Sequence, residues 1–118
     1  MNFKEYQIKA HETADYPSGF VGDFNGTNTT NWLYPALGLS EEAGEVAGKF
    51  AKAVRDCNGY IDEERYKAIK KELGDVLWFV SELCSCLGLS LEEVAEANIE
   101  KLASRKERNV IHGSGDDR

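Results

Sequence analysis

The sequence predicts an all-α fold of four helices, arranged like a four-helix bundle. Three observations carry that prediction. Apolar residues recur at intervals of three and four, most clearly at Ile69, Leu73, Val76, Val80, Leu83 and Leu87, the period of an amphipathic helix. Helix-ending chemistry punctuates the chain at Asn58-Gly59 and again at Gly88, where a left-handed residue closes the last turn. No segment shows a convincing strand pattern, an internal repeat or a low-complexity block. The helices are expected over about 2–14, 32–56, 62–87 and 90–108 of the 118 residues, within a single domain spanning 1–118.

The first helix rests on Phe3, Tyr6 and Ala10, which fall roughly on one side. A Gly-, Asn- and Thr-rich stretch from Tyr16 to Asn31 follows and reads as a long loop, a type that is usually functional or mobile in a small domain. Thr30 or Asn31 can cap the second helix, and Pro35 is tolerable near its first turn. The third helix carries the apolar stripe already named. Ser90 with Glu93 three residues on forms a capping-box pattern that starts the fourth. The tail from Asn109 to Arg118 is polar and contains glycines.

Composition narrows the function. At 42% hydrophobic and 30% charged residues, the chain reads as an ordinary soluble globular protein. No apolar run approaches the ~20 residues needed to span a bilayer, and the N-terminus lacks the apolar core and cleavage site of an export signal. Cys57, Cys84 and Cys86 are an odd number without a C-x-x-C pair. That argues against a disulfide framework or zinc ribbon and for a reducing cytoplasm. A formal charge of −7 argues against nucleic acid as the main partner, since phosphate neutralisation needs a basic face. A small anionic substrate remains compatible if a metal or a local cation cluster offsets the field.

The chemistry-bearing residues are carboxylates. Glu41, Glu42 and Glu45 fall within roughly 100° of arc on the second helix, largely opposite Leu39, Val46, Phe50 and Val54. Taken alone, this acidic wedge reads first as a solvated face, helped by Glu45 standing four residues before Lys49. The third helix shifts the balance. Glu72 and Asp75 lie on adjacent turns, and Glu72 sits at the margin of the apolar stripe. A carboxylate in a helix seam costs desolvation energy unless it is paired or ligates a cation; the alternative is a rim carboxylate reaching for solvent. Lys70 and Lys71 point elsewhere on the wheel. An antiparallel pair of helices can bring Glu42 and Glu45 opposite Glu72 and Asp75, and such a cluster calls for a hard divalent cation. With His11 and His112 at opposite ends of the chain, oxygen-only ligation points to Mg²⁺, with Mn²⁺ as substitute.

Cations for a substrate lie downstream, at Lys101, Arg105, Lys106 and Arg108. Asn98, Lys101 and Arg105 share a helix face and suit phosphate oxygens. The same cations also suit a helix C-terminus, and Arg105 and Lys106 read equally either way. Trp32 and Tyr34, beside the long loop, either stack a base or act as buried anchors, the commoner role.

"EEAGE", followed after 26 residues by "ELGD", resembles the E-E-x-x-E … E-x-x-D signature of MazG-type nucleoside triphosphate pyrophosphohydrolases. These belong to the all-α NTP pyrophosphatase superfamily. The segments "YQIKAHETA", "LGLSEEAGEV", "LGDVLWFVSELCSCLGLSLEEV" and "NIEKLASRKERNVIHGSGDDR" are similar to the short, single-domain members from bacteria and phages. The resemblance implies Mg²⁺-dependent hydrolysis of a (deoxy)nucleoside triphosphate to the monophosphate and pyrophosphate. It implies Glu42, Glu45, Glu72 and Asp75 as metal ligands, with Glu41 a further ligand or the base that orients water. It also implies Asn98 and Lys101 at the phosphates. Competing readings are a hydrolase of another phosphoanhydride (a nucleoside diphosphate, a phosphoribosyl nucleotide or an alarmone) and a non-catalytic, metal-stabilised partner-binding module.

One architectural expectation completes the picture. The second helix has apolar or small residues on both flanks of its acidic wedge, with Gly44 and Gly48 permitting close backbone approach. A homodimer or a dimer of dimers would cover both flanks. The resemblance implies the same, and places residues of a neighbouring subunit near the nucleotide.

Overall fold

The computed structural model describes residues 1–16 and 32–118, and within them the chain forms four helices and no strand. These are α1 (Phe3–Glu12), α2 (Leu33–Cys57), α3 (Glu63–Leu87) and α4 (Leu91–Glu107). Each agrees with its sequence expectation to within about two residues, the usual scatter of a helix end. The caps expected at Thr30 or Asn31, and the loop beyond Tyr16, lie outside the described residues.

Local chemistry explains the boundaries. Asn2 and Glu5 form a reciprocal capping box at the start of α1. The α2 helix ends at Asn58, which adopts a left-handed conformation at φ 58°, a position asparagine tolerates better than most residues. Asp62 accepts a hydrogen bond from the Arg65 amide to start α3, and Gly88 closes it at φ 70°. Ser90 accepts from the Glu93 amide at the head of α4, the N-cap half of the expected capping box.

The short 58–62 connection folds α2 back along α3, and this antiparallel hairpin is the largest helix contact. The α1 helix packs on α3 and α4, whereas α2 touches α3 alone among the helices. Helix α4 leaves α3 at a bend of 107°. The buried positions of the hairpin include Pro35, Gly38, Ala53, Ile69, Phe79 and Cys84. Helix contact is closest at Gly38, where a Cβ would collide with the Phe79 ring. Gly44 and Gly48, in contrast, face open space among the described residues. Leu37, Phe50 and Val54 are exposed on α2, as are Ile99 and Leu102 on α4. No single helix among the described residues is long and apolar enough to cross a membrane.

Candidate functional site

The hairpin brings three acids to one point. Glu42 on α2 meets Glu72 and Asp75 on α3, with one carboxylate oxygen from each lying within 4.8 Å of the others. The antiparallel pairing and the spacing of three between Glu72 and Asp75 produce this directly, since residues three apart occupy adjacent turns of one face. Glu42 and Glu72 are half-buried and Asp75 is exposed. Burial pushes the Glu42 carboxyl above its usual range, and the charges of Asp75, Glu72, Glu41 and Glu45 push it further. Glu41 and Glu45 are exposed and flank the triad; their charges reach Glu42 without their oxygens joining the 4.8 Å group.

The donor set is three carboxylates from two rigid helices, with no nitrogen or sulfur among them. It suits a hard divalent cation that keeps open positions for water and phosphate oxygens. One cation of the protein already stands there. Lys49 Nζ lies 3.3 Å from Glu72 Oε1, across the hairpin. Helical spacing alone paired Lys49 with Glu45. The fold instead turns it toward Glu72, a contact that only the register of α2 against α3 determines. The Tyr6 hydroxyl, on α1, is raised above its ordinary pKa by burial first and by the Asp75 charge second.

The other expected site residues are placed as follows. Asn98 and Lys101 are exposed on α4, and Arg105 is buried at 5% exposure. Helices α2 and α4 make no contact, so the two helices that carry Glu42 and Lys101 are not joined within one chain. Lys101 and Arg105 meet the C-terminal tail instead. Arg105 Nη2 donates to the Asp116 carbonyl, and Lys101 Nζ lies 3.7 Å from Asp116 Oδ1. Arg118 braces that tail by donating to the carbonyls of Val110, Ile111 and Gly115.

Tyr34 joins an aromatic cluster. Its ring stacks on Tyr16 with centroids 5.0 Å apart and meets Phe79 edge-on at 5.8 Å. Trp78 contacts both Tyr16 and Phe79 edge-on and donates its indole N–H to Thr13. Trp32 is half-buried just ahead of α2.

Sequence reasoning missed a second acidic feature, Glu82, which is fully buried. His11 Nδ1 lies 3.0 Å from one of its oxygens, and Tyr16 donates its hydroxyl to the other. Tyr16 Oη also lies 3.0 Å from Cys86 Sγ, and burial with these neighbours raises the Tyr16 hydroxyl well above its usual value. The available signal was spacing: Glu82 follows Asp75 by seven residues, two turns along one face of α3. A cleft of about 790 Å³ beside α1, lined by Lys4, Gln7, His11, Ser85, Glu92 and Glu96 among others, includes none of the three converging acids.

Comparison with known proteins identifies the family of the chain. The chain is 43% identical to the Gene 37 protein of Mycobacterium phage L5 over 118 residues, the whole of both chains. No solved structure matches it. The MazG nucleotide pyrophosphohydrolase domain matches residues 33–110, which hold the α2–α3 hairpin with its three converging acids and all of α4. The all-helical chain therefore belongs to the MazG nucleotide pyrophosphohydrolase family.

Proposed function

We propose that this protein is a Mg²⁺-dependent pyrophosphohydrolase acting on (deoxy)nucleoside triphosphates. The observation that carries the reading is the convergence of Glu42, Glu72 and Asp75 within 4.8 Å in a chain of the MazG family. In this reading Glu42, Glu72 and Asp75 hold the metal, with Mn²⁺ an adequate substitute. Glu45 is a fourth ligand, recruited from the next turn of α2. Glu41 is a further ligand or the base that orients the attacking water.

When bound, the cation would neutralise phosphate oxygens and lower the pKa of a coordinated water. The remaining work falls to the chain. Lys101 and Asn98 hold phosphate oxygens, with Arg105 behind them, and Trp32 and Tyr34 lie on the side of the base. Water adds across the α–β anhydride: its oxygen bonds to phosphorus, the bridging P–O bond breaks, and the proton passes to a carboxylate of the acidic wedge. The products are the nucleoside monophosphate and pyrophosphate.

The assembly in this reading is a homodimer or a dimer of dimers, acting in the cytoplasm on free nucleotides rather than on nucleic acid or membranes. Support comes from exposed Leu37, Phe50 and Val54 and from the open faces of Gly44 and Gly48. Because α2 and α4 make no contact within one chain, a neighbouring subunit offers a route for α4 cations to reach the acids.

Incubation with a panel of nucleotides and Mg²⁺ tests the proposal, with pyrophosphate and orthophosphate followed separately. Pyrophosphate release from triphosphates is the expected result. Orthophosphate alone would overturn α–β cleavage and favour a relative acting on another phosphoanhydride. No release from any nucleotide would leave a helical partner-binding module.

A further inference from the structure

We infer that Lys49 is an internal cation that competes with divalent metal for Glu72 and thereby holds down the metal affinity of the acidic triad. The inference rests on the metal reading above and concerns a residue outside the expected ligand set.

Three observations carry it. Lys49 Nζ lies 3.3 Å from Glu72 Oε1, and both side chains are shielded, at 28% and 19% exposure. A pair with that much cover is screened less by solvent than a fully exposed one. Glu72 is also a member of the 4.8 Å carboxylate group, so the ammonium bonds a prospective ligand directly. Finally, Lys49 lines a cleft of about 270 Å³ with Asp62, Glu64, Arg65 and Ala68. Asp62 and Glu64 thus bring other carboxylates to the cleft that Lys49 lines.

The physical logic follows from charge. Glu42, Glu72 and Asp75 are like charges with carboxylate oxygens within 4.8 Å of one another, and so repel. An ammonium on Glu72 relieves part of that repulsion while no metal is bound. A divalent cation must then displace the ammonium and accept its residual repulsion from nearby. Glu72 is kept oriented in the seam meanwhile, so Lys49 acts as a positioning residue and as a competitor.

The test is Mn²⁺ binding at neutral pH, followed by the free-ion paramagnetic resonance signal, for the wild type, Lys49→Met, Lys49→Gln and Lys49→Arg. Circular dichroism checks that each variant is folded. Loss of the competing charge should tighten Mn²⁺ binding about two- to fivefold in both neutral variants, the scale of a partly screened ion pair. Lys49→Arg should stay near wild type. A merely structural lysine would give unchanged or weaker binding in the neutral variants, and that result overturns the inference while leaving the metal reading standing. A wild type that takes up no Mn²⁺ overturns both.

Discussion

The Phe79 ring fills the space that a side chain at Gly38 would need. A Cβ placed there would fall deep inside the van der Waals radii of three ring atoms. Phe79 has little room to retreat, because Tyr34 and Trp78 meet it edge-on with centroids 5.8 and 5.0 Å away. Helix propensity alone would favour alanine over glycine here by roughly 1 kcal/mol. Overpacking of a core typically costs about 1–3 kcal/mol, so the steric term should win. Gly38→Ala should lower stability by up to about 2 kcal/mol in chemical denaturation. A variant as stable as the wild type would show that the α2–α3 seam is looser than this contact implies.

That glycine also marks a limit of reading a sequence. The helices themselves were legible: apolar residues at three and four, a capping serine, and terminating Asn58 and Gly88 fixed their type and nearly their ends. Glu42, Glu72 and Asp75 were legible too, because helical period and an antiparallel turn bring them together without detailed packing. Gly44 and Gly48 drew attention as points of close approach, yet the contact within the chain falls at Gly38. Choosing among glycines on one helix needs the register against its neighbour, which period does not contain. The same limit hid the Lys49–Glu72 pair, whose partners are far apart in sequence. Glu82 was hidden because its burial depends on His11 and Tyr16, brought over by the crossing of α1 on α3.

The repulsion around Glu42 should appear in the pH dependence of stability. Its folded-state pKa is raised above the model-compound value of 4.5 by burial, then by Asp75, Glu72, Glu41 and Glu45. A carboxyl with a raised folded pKa binds more protons folded than unfolded within that window. Stability of the metal-free protein therefore falls as pH rises from about 4.5 through the raised value, and levels off above it. Glu42→Gln should flatten this decline, and millimolar Mg²⁺ should oppose it in the wild type. Thermal melts in chelator between pH 4 and 8 give the measurement; a profile unchanged by Glu42→Gln would remove Glu42 as its source.

Neutralising a ligand should separate chemistry from folding. Asp75 is exposed and belongs to the carboxylate triad. Asp75→Asn should reduce turnover by at least about a hundredfold, the scale of losing a group that fixes a catalytic cation, and should weaken Mn²⁺ binding. Its melting temperature in chelator should equal or exceed that of the wild type, since one repelling charge is gone. Glu45→Gln should also abolish turnover. Wild-type activity in either variant would break the ligand assignment at that residue.

Self-association can be tested at the glycines that the described residues leave uncovered. Among the described residues nothing lies within 4 Å of a Cβ at Gly44 or Gly48, so larger side chains there fit against them. If a second copy packs against this face, Gly44→Leu should block it. Light scattering should then report a smaller particle than the wild type, with helical content retained by circular dichroism. An unchanged mass would move the interface to another face, such as the exposed Ile99 and Leu102 on α4.

The two cations one turn apart on α4 should respond differently to removal. Arg105 is 5% exposed and donates from Nη2 to the Asp116 carbonyl, while its Nε is buried without a partner among the described residues. Truncating it would leave a cavity and an unmet carbonyl under the tail. Each such loss is worth about 1–3 kcal/mol, and at this chain length 1 kcal/mol corresponds to roughly 4 °C in melting temperature. Arg105→Ala should therefore melt several degrees lower. Lys101 is more exposed, and its 3.7 Å pairing with the highly exposed Asp116 is weak. Lys101→Ala should leave stability within about 0.5 kcal/mol yet weaken binding of a non-hydrolysable triphosphate about tenfold, as expected for losing one charged phosphate contact. If Lys101→Ala binds that analogue as well as the wild type, Lys101 serves the helix end and the phosphate cations must come from elsewhere.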